Sequence, residues 1–304
     1  MSPLQYLPDP FPEPVPVRLF LKRDDLLHPQ VSGNKWRKLK YNLLEARRLG
    51  HHTLLTYGGT YSNHLYAVAA AGKEGGFQTI GVVRGEDHQT RDTPTLRFVR
   101  EQGMHLHFVT RQAYRAKTSR TFQDALIGQF GPFYAIPEGG SNALAVRGVA
   151  ELYSELESQL GERPDVLTAP VGTGGTLAGL VASAPVGTQV LGFSALKGGA
   201  FLAGEVERLL NETGRPVPPP SARFQIYTEY HFGGYARTTP GLLAFIRVFE
   251  RQTGVRIEQV YTGKMLYGIF DLARRGVFPE GTKLIALHTG GMQGRSPVLD
   301  TVFN

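Results

Sequence analysis

A lysine in an unusual position is the first candidate for chemistry in this chain. Lys35 lies in the segment VSGNKWRKLK, residues 31–40, directly after a turn of small residues and where a helical pattern begins. Lysines are mostly surface residues, so Lys35 is either one more exposed charge or a nucleophile that the turn holds in place. We expect Trp36 in the core and the other lysines and arginines of this segment on a solvated helix face.

A glycine-rich segment, PVGTGGTLAG at residues 170–179, is the second candidate. An apolar strand runs through the glycines into a helix, so backbone N–H groups and the helix N-terminus can converge on an anion. No lysine follows the glycines as in a Walker loop, and Leu177 replaces the third glycine of the dinucleotide fingerprint. A phosphate monoester therefore fits better than ATP or NAD. The alternative is an ordinary glycine-rich turn between strand and helix.

Three polar residues follow another strand and glycine pair, in YGGTYSNH at residues 57–64. Ser62 and Asn63 occupy positions where helix N-caps are found, and capping alone explains one such residue. The run Ser62-Asn63-His64 indicates a second anion site at a helix start, of the size of a carboxylate. A plain helix cap is the alternative.

Two further stretches offer hydroxyl groups. The apolar run in LIALHTGGMQG, residues 284–294, ends near Thr289, whose neutral hydroxyl can face a ligand lying over the strand ends. The segment VYTGK, residues 260–264, opens a helix with Tyr261, for which packing is the alternative to chemistry. The chain has neither an HExxH zinc pattern nor a GxSxG elbow, so the sequence predicts no metal site and no α/β-hydrolase.

Strands that alternate with helices must position these groups. Many of the predicted strands run into a glycine-rich turn, an order typical of parallel α/β sheets with sites at the carboxyl ends of the strands. The strands, some with their turns, are predicted at residues 52–59, 79–85, 105–110, 133–140, 165–175, 190–196, 223–230 and 283–291. We interpret the proline-rich segment 215–222 as a connector.

Composition narrows the function classes further. Among 304 residues, 33 lysines and arginines outnumber 26 aspartates and glutamates, which favours anionic partners in general. These basic residues are spread along the chain and no nucleic-acid motif occurs, so we expect no nucleic-acid partner. The chain has no cysteine, which excludes disulfides and thiolate metal sites. With no secretory signal pattern and no membrane-spanning apolar run, the expectation is a soluble cytoplasmic protein.

Together these motifs resemble the pyridoxal-phosphate (PLP) enzymes of the tryptophan-synthase-β fold type. More closely, the chain resembles the family that contains 1-aminocyclopropane-1-carboxylate (ACC) deaminase and D-cysteine desulfhydrase. The matching stretches are LKRDDLLHPQVSGNKWRKLKYNL, GGTYSNH, PVGTGGTLAG, VYTGKMLYG and LHTGG, in the expected order between residues 21 and 291. The SGNKWRKL and SNH pair is fairly specific, whereas the glycine loop is shared by the wider fold type.

The resemblance implies a role for each candidate residue. Lys35 would bind the cofactor pyridoxal 5′-phosphate covalently, and the helix start would lower the proton affinity of its amine. The cofactor phosphate would be held by Gly172, Thr173, Gly174, Gly175 and Thr176. Asn63 would bind the phenolic oxygen, and Thr289 would face the pyridine nitrogen and leave it largely unprotonated, which favours elimination over transamination. The substrate side would be lined by Ser62, Asn63, His64, Tyr235 and Tyr261, the first three at the substrate carboxylate.

The implied reaction is an α,β-elimination on a small D-amino acid, with D-cysteine giving pyruvate, sulfide and ammonia. Lys35, Ser62 and Tyr261 are all candidates for the base that removes the α-proton. ACC deaminases of this family carry glutamate where this chain has Thr262 and glutamine where it has His64, and both differences favour the desulfhydrase. The alternatives are ACC deamination, another D-amino acid lyase such as a D-serine dehydratase, and a small-molecule-binding protein without turnover.

For the architecture, the resemblance implies an α/β protein with two open, twisted parallel-sheet domains and the PLP site between them. Residues 41–145 would form the smaller domain, inserted into a larger PLP-binding domain built from residues 1–40 and 146–304. Such enzymes are commonly homodimers, so we expect a homodimer with a small amino acid as substrate and no membrane partner.

Overall fold

Residues 1–88, 92–214 and 224–300 are described by a computed structural model, in which helices alternate with the strands of two sheets. The strands are β1 (Leu4–Leu7), β2 (Val17–Lys22), β3 (Thr53–Gly58), β4 (Gln78–Arg84), β5 (His105–Val109), β6 (Tyr134–Ala135), β7 (Val166–Val171), β8 (Gln189–Ser194), β9 (Phe224–Tyr227) and β10 (Thr282–Leu287). The α-helices are α1 (Asn34–Arg48), α2 (Asn63–Glu74), α3 (Pro94–Glu101), α4 (Arg111–Arg115), α5 (Arg120–Phe130), α6 (Ala143–Leu160), α7 (Gly175–Ser183), α8 (Leu202–Asn211), α9 (Pro240–Thr253) and α10 (Thr262–Arg274).

The two sheets differ in size but share a parallel arrangement. The larger sheet has the strand order β1-β2-β10-β7-β8-β9, and the smaller sheet has the order β5-β4-β3-β6. β1 pairs antiparallel with β2, and the other neighbouring strands of these sheets pair in parallel. Helices cover both faces of each sheet, as is usual for parallel strands. The expected α/β fold with two parallel sheets is confirmed.

The larger sheet is buried on both faces because its central strands are continuously apolar. Along β10, Leu284 and Ala286 belong to an apolar cluster with α9 and α10, whereas Ile285 and Leu287 belong to a second cluster with α6, α7 and α8. This alternation follows from the two-residue period of a strand, whose side chains point to opposite faces in turn. The two clusters fix β7 and β10, whose carboxyl ends run into the glycine loop and Thr289.

The smaller sheet is packed by the same rule. Leu54 of β3 joins an apolar cluster with α1, α2 and α3, and its neighbour Leu55 joins a cluster on the other face with α4 and α5. Helix α1 also packs against α6, which covers the larger sheet. The start of α1, where Lys35 lies, is therefore held between the two sheets.

The strands predicted from the sequence are all present, although the one predicted at 133–140 is only two residues long. Sequence reasoning missed β1 and β2, and in β2 the charged residues Arg18 and Lys22 interrupt the apolar run. The predicted connector 215–222 lies outside the described residues. Both expected domain boundaries, after residues 40 and 145, fall within helices α1 and α6. The division into 1–40 plus 146–304 and 41–145 remains a prediction.

Candidate active site

A cleft of about 1250 Å³ lies at the carboxyl ends of β3, β7 and β10. In open parallel α/β sheets, ligands bind at these strand ends. The cleft is lined by every site residue singled out above, namely Lys35, Ser62, Asn63, His64, Gly172, Thr173, Gly174, Gly175, Thr176, Tyr235, Tyr261 and Thr289. The structure therefore brings together segments that are as much as 254 positions apart in the chain, although their individual roles stay predictions.

The turn before α1 fixes Lys35 against the end of β10. Gly33 has a φ of 65°, and a Cβ atom there would lie 1.8 Å from the carbonyl oxygen of Thr289, so only glycine fits. The Asn34 side chain donates to Oγ1 of Thr176 at 2.7 Å and accepts a hydrogen bond from Lys35 Nζ at 2.9 Å. Burial lowers the pKa of Lys35 to about 8, so part of the amine is neutral near pH 7.

The glycine loop, residues 172–176, ends at the N-terminus of α7 without a side-chain cap. The first N–H groups of a helix have no partner within the helix, so these donors can serve an anion in the cleft. A Cβ atom on Gly175 would lie 2.5 Å from Ser141 Oγ and 2.9 Å from Lys38 Cε, so the absence of a side chain is required there. Ser141 also shares a hydrogen bond of 2.7 Å with the hydroxyl of Thr173.

Lys38 is a site residue that sequence reasoning placed wrongly on a solvated face. Its side chain is only 2% exposed, lines the cleft, and donates to the Gly139 carbonyl at 2.6 Å and to Ser141 Oγ at 2.9 Å. Burial, followed by repulsion from Lys35, holds the pKa of Lys38 well below its usual value. No carboxylate of the described residues lies within 4 Å of its amine. The three-residue spacing from Lys35, which puts both on one helix face, could have indicated it.

Arg37 was also expected on a solvated face but is buried. Trp36 was expected in the core but is exposed. Arg37 is 4% exposed, and its guanidinium donates to both carboxylate oxygens of Asp24 at 2.7 Å and to those of Glu155 at 2.8 and 2.9 Å. Trp36 is 39% exposed and stacks on the ring of His28 at 4.9 Å. The sequence gives no local signal for either result, because Glu155 lies 118 positions from Arg37.

The loop after β3 presents Ser62 and Asn63 at the start of α2. The hydroxyl oxygen of Ser62 accepts the N–H groups of His64 and Leu65, each at 3.2 Å, and so caps the helix. With both acceptor positions used, Ser62 is poorly suited to act as a base, but its O–H can still donate. Asn63 Oδ1 accepts from Gln293 Nε2 at 2.9 Å, which fixes the orientation of the amide.

The His64 ring is buried beneath this loop and is neutral. It is 3% exposed, and its Nε2 lies 2.8 Å from the hydroxyl of Thr56, which donates its own proton to the Ile136 carbonyl at 2.8 Å. We therefore assign the proton of the ring to Nε2. Burial, together with the charges of nearby lysines, holds the pKa of His64 well below its usual value. In this tautomer the ring has no N–H left for a carboxylate, so the predicted carboxylate contact falls to Ser62 and Asn63.

Two tyrosines also line the cleft. The rings of Tyr235 and Tyr261 meet edge to face, with centroids 6.0 Å apart. The buried carboxylate of Glu258, which sequence reasoning missed, accepts the N–H of Tyr261 at 3.0 Å and that of Thr262 at 2.6 Å and holds the start of α10. Burial raises the pKa of both phenols, and that of Tyr261 rises well above its usual value. Tyr261 therefore stays protonated at neutral pH, where it can donate a hydrogen bond but cannot act as a base.

Arg84, at the end of β4, adds a positive charge to the cleft that sequence reasoning also missed. Its guanidinium carbon lies 5.7 Å from the centre of the Tyr114 ring, and no carboxylate of the described residues lies within 4 Å of it. The neighbouring cleft cation Lys117 differs, because it is paired with Glu138 at 3.2 Å. Arg84 is thus available to an anionic ligand.

Two other kinds of feature are missing from residues 1–88, 92–214 and 224–300. These residues contain no group of three or more histidine, cysteine, aspartate or glutamate side chains that could hold a metal ion. They also contain no helix with the length and apolar character needed to cross a membrane.

Comparison with known proteins gives one family for almost the whole chain. A family model for pyridoxal-phosphate dependent enzymes matches residues 1–290. The chain is 31% identical over 296 residues to the mitochondrial bifunctional D-cysteine desulfhydrase/1-aminocyclopropane-1-carboxylate deaminase of Arabidopsis thaliana, covering 91% of this chain and 73% of that protein. It is also 31% identical over 301 residues to the 1-aminocyclopropane-1-carboxylate deaminase of Burkholderia vietnamiensis, covering 92% and 88%.

Solved structures agree with this result. The crystal structure of an ACC deaminase homologue matches with a TM-score of 0.83 at 28% identity, over 96% of this chain and 90% of that one. The structure of O-ureido-L-serine synthase matches with a TM-score of 0.70 at 20% identity, over 100% and 93% of the two chains, which is a likeness of fold alone.

Proposed function

The chain belongs to the family of pyridoxal-phosphate dependent enzymes, and we propose that it eliminates a β-substituent from a small D-amino acid, with D-cysteine as the substrate. In this reaction D-cysteine and water give pyruvate, hydrogen sulfide and ammonia. The observation that carries the proposal is the position of Lys35, whose amine has a pKa of about 8 and shares one cleft with the glycine loop and Asn63. The relatives that are named for D-cysteine desulfhydrase and ACC deaminase activity support the reaction class.

The residues of the cleft fit pyridoxal 5′-phosphate. The uncapped start of α7, the side-chain-free Gly175 and the amine of Lys38 form the donor set that a phosphate monoester needs. Lys35 would hold the aldehyde carbon, Asn63 the phenolic oxygen, and Thr289 would face the ring nitrogen. When bound, the cofactor draws electrons from the substrate α-carbon and makes its proton acidic.

Among the three candidates for the base, we favour Lys35. The acceptor positions of Ser62 are used by the cap of α2, and the raised pKa of Tyr261 keeps its phenol protonated. The lowered pKa of Lys35 leaves a usable fraction of neutral amine at physiological pH. Tyr261 can instead donate a hydrogen bond to the departing β-substituent.

The substrate carboxylate would lie at the start of α2, where Ser62 and Asn63 can donate hydrogen bonds. Arg84 contributes positive charge to the same cleft and would attract an amino acid through its carboxylate. This guanidinium lies beside the loop residue Gly59, where a Cβ atom would make an ordinary contact of 3.7 Å with Arg84 Nη2.

ACC deamination is a second candidate, favoured by the name of the Burkholderia vietnamiensis relative. It would open the cyclopropane ring and give 2-oxobutyrate and ammonia. The residues Thr262 and His64, in place of the glutamate and glutamine of ACC deaminases, support elimination instead. His64 is neutral and buried, so it does not supply the hydrogen-bonding amide of a glutamine.

Parallel assays on D-cysteine, L-cysteine and ACC, with added PLP, test the proposal. Ammonia release is common to all of these reactions, and pyruvate and 2-oxobutyrate distinguish their products. We expect ammonia and pyruvate from D-cysteine, and none from the Lys35→Ala variant, with Lys40→Ala as an active control because Lys40 is exposed. If ammonia is released from ACC alone, ACC replaces D-cysteine as the proposed substrate. If the protein has the yellow colour of bound PLP but releases ammonia from none of the three compounds, the assignment of D-cysteine is withdrawn.

The cellular setting and assembly are also proposals. From the resemblance we infer a cytoplasmic homodimer that acts on a small amino acid and has no nucleic-acid partner. Sedimentation of the purified protein at micromolar concentration should give twice the chain mass of 33.4 kDa. A monomer that retains full turnover would contradict the dimer.

A further inference from the structure

A buried lysine outside the cleft holds one of the cleft's loops. Lys264 lies in the first turn of α10, three residues after Tyr261, and is only 1% exposed. Its amine donates to the carbonyl of His231 at 2.9 Å and to the carbonyl of Gly234 at 2.8 Å. Burial lowers the pKa of Lys264 to about 8. Neither Tyr261 nor the proposed cofactor site uses this side chain, so its two bonds to the loop need another explanation.

The loop that Lys264 holds, residues 231–237, is conformationally strained. Four of its residues have positive φ angles, which are 51° at Phe232, 95° at Gly233, 118° at Gly234 and 56° at Ala236. Phe232 and Ala236 are not glycines, and such conformations persist only where the surrounding structure imposes them. The two bonds from Lys264 supply this constraint from outside the loop.

The loop carries Tyr235 to the substrate side of the cleft. Tyr235 and Ala236 line the cleft, whereas Lys264 does not. The Tyr235 ring meets that of Tyr261, whose backbone is held by Glu258 at the start of the same helix. Both tyrosines are therefore held at the start of α10. Glu258 binds the backbone of Tyr261, and the Lys264 side chain holds the loop that carries Tyr235.

We propose that Lys264 is a positioning residue, which holds residues 231–237 in their strained form and thereby keeps Tyr235 against Tyr261 at the substrate. This role rests on the proposed function only where Tyr235 is taken to contact the substrate. The placement of the loop by Lys264 is a property of the protein whether or not D-cysteine is its substrate.

Hydrogen–deuterium exchange of the PLP-loaded protein tests the placement directly. The Lys264→Met variant keeps the length of the side chain and removes its donors, and its amides at 231–237 should exchange about tenfold faster or more. Lys283→Met is the matched control, since Lys283 pairs with Glu162 far from the loop, and should leave this exchange unchanged. Unchanged exchange in Lys264→Met would overturn the proposal. If that variant does not fold, Lys264→Gln takes its place. Its side chain is one atom shorter and uncharged, so it weakens the two bonds to the loop, and the exchange at 231–237 should still rise relative to the parent. Unchanged exchange would again overturn the proposal.

A double-mutant cycle with Tyr235→Ala then links the loop to turnover. We expect Lys264→Met to lower kcat/KM for the preferred substrate by about tenfold in the parent, and by less than about twofold when Tyr235 is already absent. An equal loss in both backgrounds would show that Lys264 acts only on general stability, and would overturn the positioning role. A parent without turnover on any amino acid would contradict the proposed function alone, because the exchange result stands independently.

Discussion

Helix α1 carries basic side chains on two of its sides, and they are paired with carboxylates on only one of them. On one side, Arg37 forms hydrogen bonds with the carboxylates of Asp24 and Glu155. Burial alone would lower the pKa of Arg37, but these bonds outweigh it and raise that pKa. On the other side, Lys35 and Lys38 have lowered pKa values, caused first by burial, and no carboxylate of the described residues lies within 4 Å of either amine.

The difference distinguishes a basic residue that stabilises the fold from those that are candidates for binding the cofactor, although all three lie on one helix. Buried charges in proteins are normally paired, since an unpaired charge loses its hydration without compensation. Arg37 obeys this rule and ties α1 to α6 through Glu155. Lys38, which lies beside Lys35 and a loop of free backbone donors, has no such pair, and we propose that its partner is an anion from outside the chain. The phosphate of PLP is the anion that this family supplies.

The largest expected effect comes from breaking the paired side. Arg37→Met should lower the free energy of unfolding by about 3–5 kcal/mol, because it leaves the buried carboxylate of Asp24 without its cation and Glu155 with Lys22 alone. Denaturant unfolding followed by circular dichroism measures this loss. A loss below about 1 kcal/mol would mean that the network is solvated in solution and that the contrast between the two sides is smaller than the structure indicates.

On the unpaired side, Lys38→Met should act on the cofactor rather than on folding. Removing a charged donor from a phosphate site typically costs about 1.5–3 kcal/mol, so we expect PLP to bind about 10- to 100-fold more weakly. The cofactor-free protein should keep its unfolding free energy within about 1 kcal/mol of the parent. Titration with PLP, followed by visible absorbance, measures the first quantity. Unchanged affinity together with a large loss of stability would place Lys38 with Arg37 among the structural cations.

The pH dependence of stability offers a third test of the unpaired side. The pKa of Lys35 is about 8 in the folded protein, against 10.5 for an ordinary lysine, so the unfolded chain holds more protons between these values. The free energy of unfolding of the cofactor-free protein should therefore rise with pH from about 8 to 10.5. The rise should be about 3 kcal/mol greater than in Lys35→Met. Parallel curves for the two proteins would mean that Lys35 has an ordinary pKa.

The smallest effect is expected where a carboxylate is added. Thr262→Glu restores the glutamate of ACC deaminases, but Thr262 is fully buried and its N–H is already held by Glu258. A second carboxylate beside Glu258 should not create efficient ACC deamination, and 2-oxobutyrate formation should stay near the parent level. A large gain in 2-oxobutyrate would show that residue 262 alone selects the substrate.

The sequence was sufficient for features that depend on neighbours in the chain. Glycine turns after apolar strands predicted the parallel sheets, and segments at the carboxyl ends of strands meet in one cleft because the sheets are parallel. The turn before Lys35 is of this kind, since Gly33 must lack a side chain where it approaches Thr289.

Features that depend on distant partners could not be predicted in the same way. The burial of Arg37 requires Glu155 from α6, and that of Lys38 requires Ser141, 103 positions away. Arg84 ends a strand like many other residues, and only the cleft shows that it faces a ligand site. β2 was missed because its charged ends look solvated, whereas Lys22 is completely buried and paired with Glu155 at 2.8 Å.

The most direct test of the central claim is to locate the bound cofactor within the chain. Reducing the PLP-loaded protein with borohydride makes the link to lysine permanent, and tandem mass spectrometry of its peptides identifies the modified residue. We expect the label on Lys35 and none on Lys38 or Lys264, two buried lysines in or near the cleft whose pKa values are also lowered. A label on Lys38 instead of Lys35 would contradict the assignment of the nucleophile and the division of roles along α1.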